Sequence, residues 1–208
     1  MALSTYADLK AAVIRFAGRD DLTDSLDDFI LLTEESMYSN EVAPLRLRGL
    51  EASTTLQTVA GTNSVAMPAD YLEVRSIALN SGGVEREMFY NSPSAIPKKA
   101  GSGIPVYFTV EGSNLIFDVT PDAVYDIEFS YYGKATALSS SNQTNFVLTN
   151  HPSIYLSGCL SFLNDYTGED EKSEYQFGKM IRAIKGAIRN DNSGRYPNAQ
   201  ARVRGSTP

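Results

Sequence analysis

The sequence is poor in the side chains on which many enzymes and small secreted proteins depend. It has no tryptophan, one histidine and one cysteine among 208 residues. A single cysteine, Cys159, excludes an internal disulfide framework and a cysteine metal cluster, and its apolar helical context predicts a buried structural thiol. A catalytic triad or a histidine-rich metal site would need His151, and its spacing gives no support for either. Its place before Pro152 predicts a loop or capping role.

Long apolar runs are also missing. No stretch approaches the roughly 18 apolar residues that a membrane-spanning helix needs. The first residues lack the basic and apolar regions of a secretory signal. We therefore expect no membrane association and a protein that is made and kept in a cytosol-like compartment.

An excess of basic residues is the third absence. The net charge of −7 argues against a general nucleic-acid binder, which gains affinity by releasing counterions from phosphates. The charge is unevenly distributed. Residues 1–40 hold eight acidic and three basic side chains, whereas residues 151–208 hold six acidic and eight basic ones. The C-terminal segment is therefore the only basic part.

Helical patterns stand at both ends of the chain. Thr5 with Asp8 predicts a helix start, and Gly18 predicts its end. The apolar spacing predicts four helices, two at each end. The core positions of the first helix are Leu9, Ala12, Val13 and Phe16, and those of the second are Leu26, Phe29, Ile30, Thr33 and Met37. The third helix is apolar and runs from Pro152 to about Asp165. The fourth spans 170–190, and its core positions are Phe177, Met180, Ile181, Ile184, Ala187 and Ile188.

The middle of the chain has the period of strands. Tyr125, Ile127, Phe129 and Tyr131 alternate with polar residues, which is typical of a strand with one buried face. Further strands are predicted at 54–59, 64–67, 71–79, 84–89, 105–110 and 115–118, between glycine-containing turns.

The fold class that these patterns predict is α+β, with an antiparallel β-sandwich or barrel-like lobe inserted into a helical bundle. Neither helix pair has much apolar surface to bury alone, so we expect the two pairs to meet in that bundle. The predicted domains are a helix pair at 1–44, the β lobe at 45–150, a second helix pair at 151–190, and an extended tail at 191–208 with almost no apolar content.

Candidate chemistry is sparse. Asp27, Asp28, Glu34 and Glu35 are expected to form a solvated helix face rather than a metal site. The segment Gly101-Ser102-Gly103 resembles a phosphate loop but lacks the lysine and the helix start that bind phosphate. We therefore predict neither enzymatic activity nor a cofactor or metal.

The basic side chains near the C-terminus allow two interpretations. One is a solvated helix face followed by a tail without fixed structure. The other is a docking surface for a protein, either the acidic start of another copy or a different partner. The candidate binding residues are Arg182, Lys185, Arg189, Arg195, Tyr196, Arg202 and Arg204.

Several phrases resemble one protein family, and they follow its order through helices, strands and helices. They are Ala66-Met67-Pro68-Ala69-Asp70-Tyr71-Leu72, Pro105-Val106-Tyr107-Phe108-Thr109-Val110-Glu111-Gly112, Tyr131-Tyr132-Gly133-Lys134, Thr144-Asn145-Phe146-Val147-Leu148, and Pro152 with Tyr155-Leu156-Ser157-Gly158. The chain resembles the head-to-tail adaptor, or connector, proteins of tailed bacteriophages, including the tail tubular protein A type.

The resemblance implies a non-enzymatic protein of the virion, located at the head–tail junction. It implies a homo-oligomeric ring of about twelve copies that joins the portal protein to a tail or nozzle protein. Viral DNA would be retained by this ring and ejected through it without sequence-specific binding. The alternative is a β-sandwich binding module for carbohydrate or protein in a phage tail or cell-surface apparatus. A cell-wall hydrolase accessory is a third hypothesis.

Overall fold

The structure divides the chain into two units. The computed structural model describes residues 3–39, 44–97 and 99–195, without the side chain of Arg195. The helical unit draws its residues from Met1–Arg48 and Thr136–Pro208, and the strand unit comprises Gly49–Ala135. Helices and strands are thus segregated along the chain, which confirms the predicted α+β class. The β lobe was predicted at residues 45–150, and the strand unit of the structure comprises Gly49–Ala135.

The first helix is specified locally by its two ends. Helix α1 (Tyr6–Ala17) begins at a complete capping box, in which Thr5 accepts from the backbone N–H of Asp8 and the Asp8 carboxylate accepts from that of Thr5. Gly18 ends the helix with a φ of 65°, where glycine carries no Cβ penalty. Leu9, Ala12 and Val13 are buried as predicted, but Phe16 is exposed.

The second helix follows a short 3₁₀ turn at Thr23–Ser25. Helix α2 (Leu26–Met37) has Asp27 and Asp28 in its first turn, near the positive end of the helix dipole. All five positions predicted for its core are buried, namely Leu26, Phe29, Ile30, Thr33 and Met37.

Three helices come from the C-terminal part of the chain. They are α3 (Phe146–Asn150), α4 (Pro152–Tyr166) and α5 (Asp170–Arg195). The short α3 is absent from the predicted helices, and α5 extends beyond its predicted end at residue 190. His151 lies between α3 and α4, and its backbone N–H donates to the carbonyl of Val147 at 2.7 Å. This position agrees with the predicted loop or capping role.

Helix α4 lies at the centre of the helical unit and contacts α1, α2, α3 and α5. Its buried residues include Ile154, Tyr155, Cys159 and Leu163. Because α1 and α2 come from the start of the chain and α5 from its end, α4 brings the two ends together. The helices of both ends therefore pack against α4 in one unit.

The strand unit contains ten strands among the described residues. They are β1 (Glu51–Gln57), β2 (Ser64–Ala66), β3 (Tyr71–Ser81), β4 (Val84–Glu87), β5 (Phe89–Tyr90), β6 (Ser102–Gly103), β7 (Tyr107–Glu111), β8 (Asn114–Phe117), β9 (Thr120–Pro121) and β10 (Asp126–Gly133). Two four-stranded sheets have the orders β1-β10-β3-β4 and β2-β8-β7-β5, and β6 pairs with β9.

Most neighbouring strands are antiparallel, as predicted. The short pairs β5–β7 and β6–β9 are parallel. Both connect residues across long intervening segments, which short-range turn signals do not reveal. The core is shared by the sheets and includes Leu79, Leu115, Phe117, Ile127 and Phe129.

Two of the phrases that carry the family resemblance meet in the strand unit. The Tyr131 hydroxyl donates to the Asp70 carboxylate at 2.9 Å, and the Lys134 N–H donates to the Asp70 carbonyl at 2.7 Å. A Cβ at Gly133 would lie 2.8 Å from the Asp70 carboxylate, so glycine leaves room for it. These phrases therefore have a packing role.

Candidate functional site

The basic row of helix α5 consists of Arg182, Lys185 and Arg189, and all three side chains are exposed. Their spacing of three and four residues places them on one helix face. Met180, Ile184 and Ala187 occupy the opposite, buried face. Within the described part of the chain, the side chains of the row form no ion pair or hydrogen bond. The structure thus places three predicted binding residues together on open surface.

The other predicted binding residues follow this row. Arg195 is the last residue of α5, and its side chain is not among the described ones. Tyr196, Arg202 and Arg204 lie outside the described residues. Whether they join the basic row stays a prediction.

The C-terminal end of α5 is attached to the segment that follows the N-terminal helices. The Arg48 Nε lies 3.0 Å from the Asp191 carboxylate, and the Arg48 backbone N–H donates to the same carboxylate at 3.1 Å. A Cβ at Gly194 would lie 2.6 Å from the Arg48 guanidinium. Helix α5 is therefore attached near its end as well as through its core.

An outward face of helix α2 combines acidic and apolar side chains. This acidic–leucine row consists of Asp28, Leu31, Leu32 and Glu35, all exposed. Leu31 is 62% exposed and Leu32 40%, which is unusual for two adjacent leucines on a packed helix. The periodicity omits both leucines from the core stripe of α2, yet it gives them no function.

A shallow groove lies where α1, α4 and α5 meet. Its volume is about 390 Å³, and it is lined partly by Leu160, Leu163 and the exposed rings of Phe16 and Tyr175. This groove explains the exposure of Phe16: the last turn of α1 reaches the edge of the core. The apolar spacing along α1 could not reveal where that core ends.

Glu34 departs from the predicted solvated acidic face. Its carboxylate accepts hydrogen bonds from the Leu138 N–H and the Tyr155 hydroxyl, both at 2.9 Å. Asn145 donates to the Tyr155 oxygen at 2.6 Å. Burial raises the pKa of Glu34, although both hydrogen bonds oppose the shift. This network joins α2, α4 and the chain that returns to the helical unit.

Asp27 is also bound locally. It accepts from the Tyr6 hydroxyl and lies 2.7 Å from the Lys10 ammonium. Burial, together with the hydrogen bond to Asp27, raises the pKa of Tyr6 to about 12. Of the four acidic residues predicted on one solvated face, Asp27, Asp28 and Glu35 are exposed and fit that description.

Burial shifts the pKa of both Cys159 and His151, the single cysteine and the single histidine of the chain. Cys159 is fully buried, and burial raises the pKa of its thiol to about 12. This agrees with the predicted buried structural thiol. Burial lowers the pKa of His151, and the charge of Asp191 opposes this shift. Among the described residues, no three His, Cys, Asp or Glu side chains are grouped to hold a metal ion.

The strand unit contains one buried carboxylate. Asp118 accepts from the backbone N–H groups of Val106 and Tyr107 at 3.0 and 3.1 Å, and it lies 2.7 Å from the Lys99 ammonium. Burial raises the pKa of Asp118, but these bonds outweigh burial, and the net pKa is lowered. In the segment that resembles a phosphate loop, Ser102–Gly103 is strand β6 rather than a helix start.

No helix in the described part of the chain is both long and apolar enough to span a bilayer. The described geometry offers three exposed surface features, namely the basic row, the acidic–leucine row and the groove.

Comparison with known proteins agrees with this description. The family model for the SU10 adaptor protein matches residues 4–204, which is nearly the whole chain and includes both units. No curated protein matches the sequence. The chain therefore belongs to the SU10 adaptor protein family, a family of structural phage proteins.

Proposed function

We propose that this protein is a non-enzymatic structural part of the virion that joins the portal to the tail. Copies form a ring of about twelve, of the tail tubular protein A type, around the path of the viral DNA. The observation that carries the proposal is the family match over residues 4–204. The helical bundle forms the ring wall, and the β-sandwich lobe reaches toward tail or nozzle proteins.

Charge along the chain supports assembly from identical copies. The first forty residues are acidic and the last fifty-eight are basic. In a closed ring each copy presents one segment to each neighbour, so opposite charges meet at every interface. Subunit interfaces then supply much of the stability of the assembled ring.

The partner-binding elements are the basic row of α5, which faces a neighbouring copy, and the end of the chain, which binds portal through Arg195 at the end of α5 and Tyr196, Arg202 and Arg204 beyond it. Arginine and tyrosine are enriched among the residues that dominate protein interfaces. Truncation after Arg195 tests the tail, since it retains the bond between Arg48 and Asp191. We expect the truncated protein to fold and to bind portal poorly. Unchanged portal binding would exclude the tail.

The DNA conduit needs a surface that does not hold its cargo. Each phosphate contact that forms must break again during ejection, so a lumen without strong positive charge lets DNA slide. A net charge of −7 suits this role. A channel lined mainly by lysine and arginine would contradict the proposal.

Two measurements test the assembly itself. The mass of the protein in solution, with and without portal, reports whether a ring forms and whether portal is required. A low-resolution particle image should show a hollow, rotationally symmetric object at the head–tail junction. A protein found elsewhere in the particle, or absent from it, would refute the adaptor function.

The alternative is a binding module, with the strand unit recognising carbohydrate or protein. The exposure of Phe89 and Tyr90 on β5 favours it, because exposed aromatic rings are common in such sites. The Tyr90 ring packs edge-on against Phe108, with 5.8 Å between the ring centroids. A glycan-binding screen tests this function, and a peptidoglycan digestion assay tests the hydrolase accessory.

A further inference from the structure

We infer that α2 of one copy packs against α5 of the next copy, with the acidic–leucine row facing the basic row. This inference rests on the proposed ring and specifies one of its contacts. The occupant of the exposed α2 face is thus a second copy of this chain.

The two rows have the same geometry. Asp28, Leu31, Leu32 and Glu35 follow the spacing i, i+3, i+4 and i+7. Four residues with this spacing lie on one helix face and surround the hole that receives a side chain from a packed neighbouring helix. The outer two residues lie about 10.5 Å apart along the helix axis. On α2 the outer residues are acidic and the inner two are leucines.

The basic row repeats this spacing with opposite charge. Arg182, Lys185, Gly186 and Arg189 also stand at i, i+3, i+4 and i+7. The outer residues are arginines at the same separation as the two acids of α2. A Cβ at Gly186 would meet no atom within 4 Å, so the centre of the row is open. A leucine of α2 can enter this space while its acidic neighbours meet the arginines.

A copy of this chain fits better than an unrelated partner because one sequence supplies both rows, matched in length and opposite in charge. Neither row forms an ion pair elsewhere in the described residues. Burial of the exposed leucines against a neighbouring copy would stabilise the contact between the two copies, because it removes apolar surface from water. A head-to-tail contact uses each row once per copy, which is the requirement for a closed ring.

The test exchanges the charges of the rows. One full-length variant carries Asp28→Lys and Glu35→Lys, and the other carries Arg182→Glu and Arg189→Glu. Each alone should self-associate roughly 100-fold more weakly than the wild type, because like charges then face each other. A mixture should recover association, since the α2 row of each variant now complements the α5 row of the other. Sedimentation across a concentration series at low salt measures both effects.

The matched control is Asp20→Lys with Asp24→Lys, which makes the same change in net charge at exposed acids outside the row. It should self-associate more strongly than the variant with reversed α2 charges. Circular dichroism checks that all variants fold.

Where the wild type assembles only on portal, the same comparison is made with portal present. Three results would overturn the inference: wild-type protein that stays monomeric across the series with and without portal, a row variant that matches the wild type, or a mixture that fails to recover. If the charge-reversed variants still form a ring at the head–tail junction, the contact between α2 and α5 is refuted and the adaptor function is not. Recovered pairing without a place at that junction would sink the adaptor function alone.

Discussion

Replacing Gly158 by alanine should force apart the helices at the centre of the helical unit. A Cβ at this position of α4 would lie 2.3 Å from Cγ2 and 2.9 Å from Oγ1 of Thr33, and 3.0 Å from Sδ of Met180. Carbon atoms in contact prefer separations of about 3.5–4.0 Å. Thr33 and Met180 are fully buried, so neither side chain can turn into solvent.

The magnitude follows from two opposing effects. Overpacking a buried site costs about 1–3 kcal/mol, whereas alanine is favoured over glycine within a helix by about 0.8–1.0 kcal/mol. Because the overlap with Thr33 exceeds one ångström, we expect the steric cost to prevail. With the steric cost in the upper part of that range, about 2–3 kcal/mol, the free energy of unfolding should fall by about 1–2 kcal/mol. Gly186→Ala, in open space on α5, should instead raise it by about 0.5–1 kcal/mol.

The free energy of unfolding of both variants is measured by urea unfolding of dilute protein, with the helical signal in far-ultraviolet circular dichroism as the probe. Thr33→Ser supplies a second check, since it removes Cγ2 and keeps the hydroxyl that donates to the Phe29 carbonyl. In combination with Gly158→Ala it should recover about 1 kcal/mol, because it vacates the space the new methyl group needs. If Gly158→Ala were as stable as Gly186→Ala, the close approach of α2 and α4 would be refuted.

Three further predictions concern buried groups. The folded pKa of Glu34 is raised, so the stability that this carboxyl contributes should decrease as the pH rises from its ordinary pKa of 4.5 through the folded pKa. Glu34→Gln should flatten this pH dependence in urea titrations. Glu34→Ala should cost about 1–3 kcal/mol, because it leaves two hydrogen-bond donors unsatisfied. The lowered pKa of Asp118 means that its contribution is present above 3.8 and lost as pH falls through the folded pKa; Asp118→Ala should cost about 2–4 kcal/mol and increase hydrogen exchange in β7, whereas unchanged exchange would contradict it. Cys159 should react with thiol reagents only at the rate of unfolding, and rapid labelling of native protein would disprove its burial.

The local signals in the sequence predicted the helices well because local physics fixes their ends. Thr5 with Asp8 and Gly18 delimit α1 through hydrogen bonds and a left-handed turn that involve only near neighbours. The core stripe of α2 follows from a spacing that any packed helix must keep. The exposure of the basic row follows from the same spacing, since it lies opposite Met180 and Ile184.

Features that depend on distant residues were missed. Glu34 looked like part of a solvated acidic face, but its donors lie more than a hundred residues away in sequence. The parallel pairing of β5 with β7 joins strands across a long connection, so no turn signal announces it. The paired geometry of the acidic–leucine and basic rows was also hidden. Charge counts revealed the opposite signs and the periodicity left Leu31 outside the core stripe, but the matching spacing of the two exposed rows was recognised only in the structure.

Different helix faces serve folding and association, so the two can be perturbed separately. Helix α4 is surrounded by α1, α2, α3 and α5, so its side chains build the core and have little surface to offer a partner. Helices α2 and α5 each bury one face against α4 and present the other outward. Substitutions at Gly158 should therefore change stability, whereas charge reversals at Asp28 or Arg182 should change association and leave the unfolding free energy of the dilute, unassembled protein within about 0.5 kcal/mol. A charge reversal that unfolded the helical unit would show that these outward faces also hold the fold together.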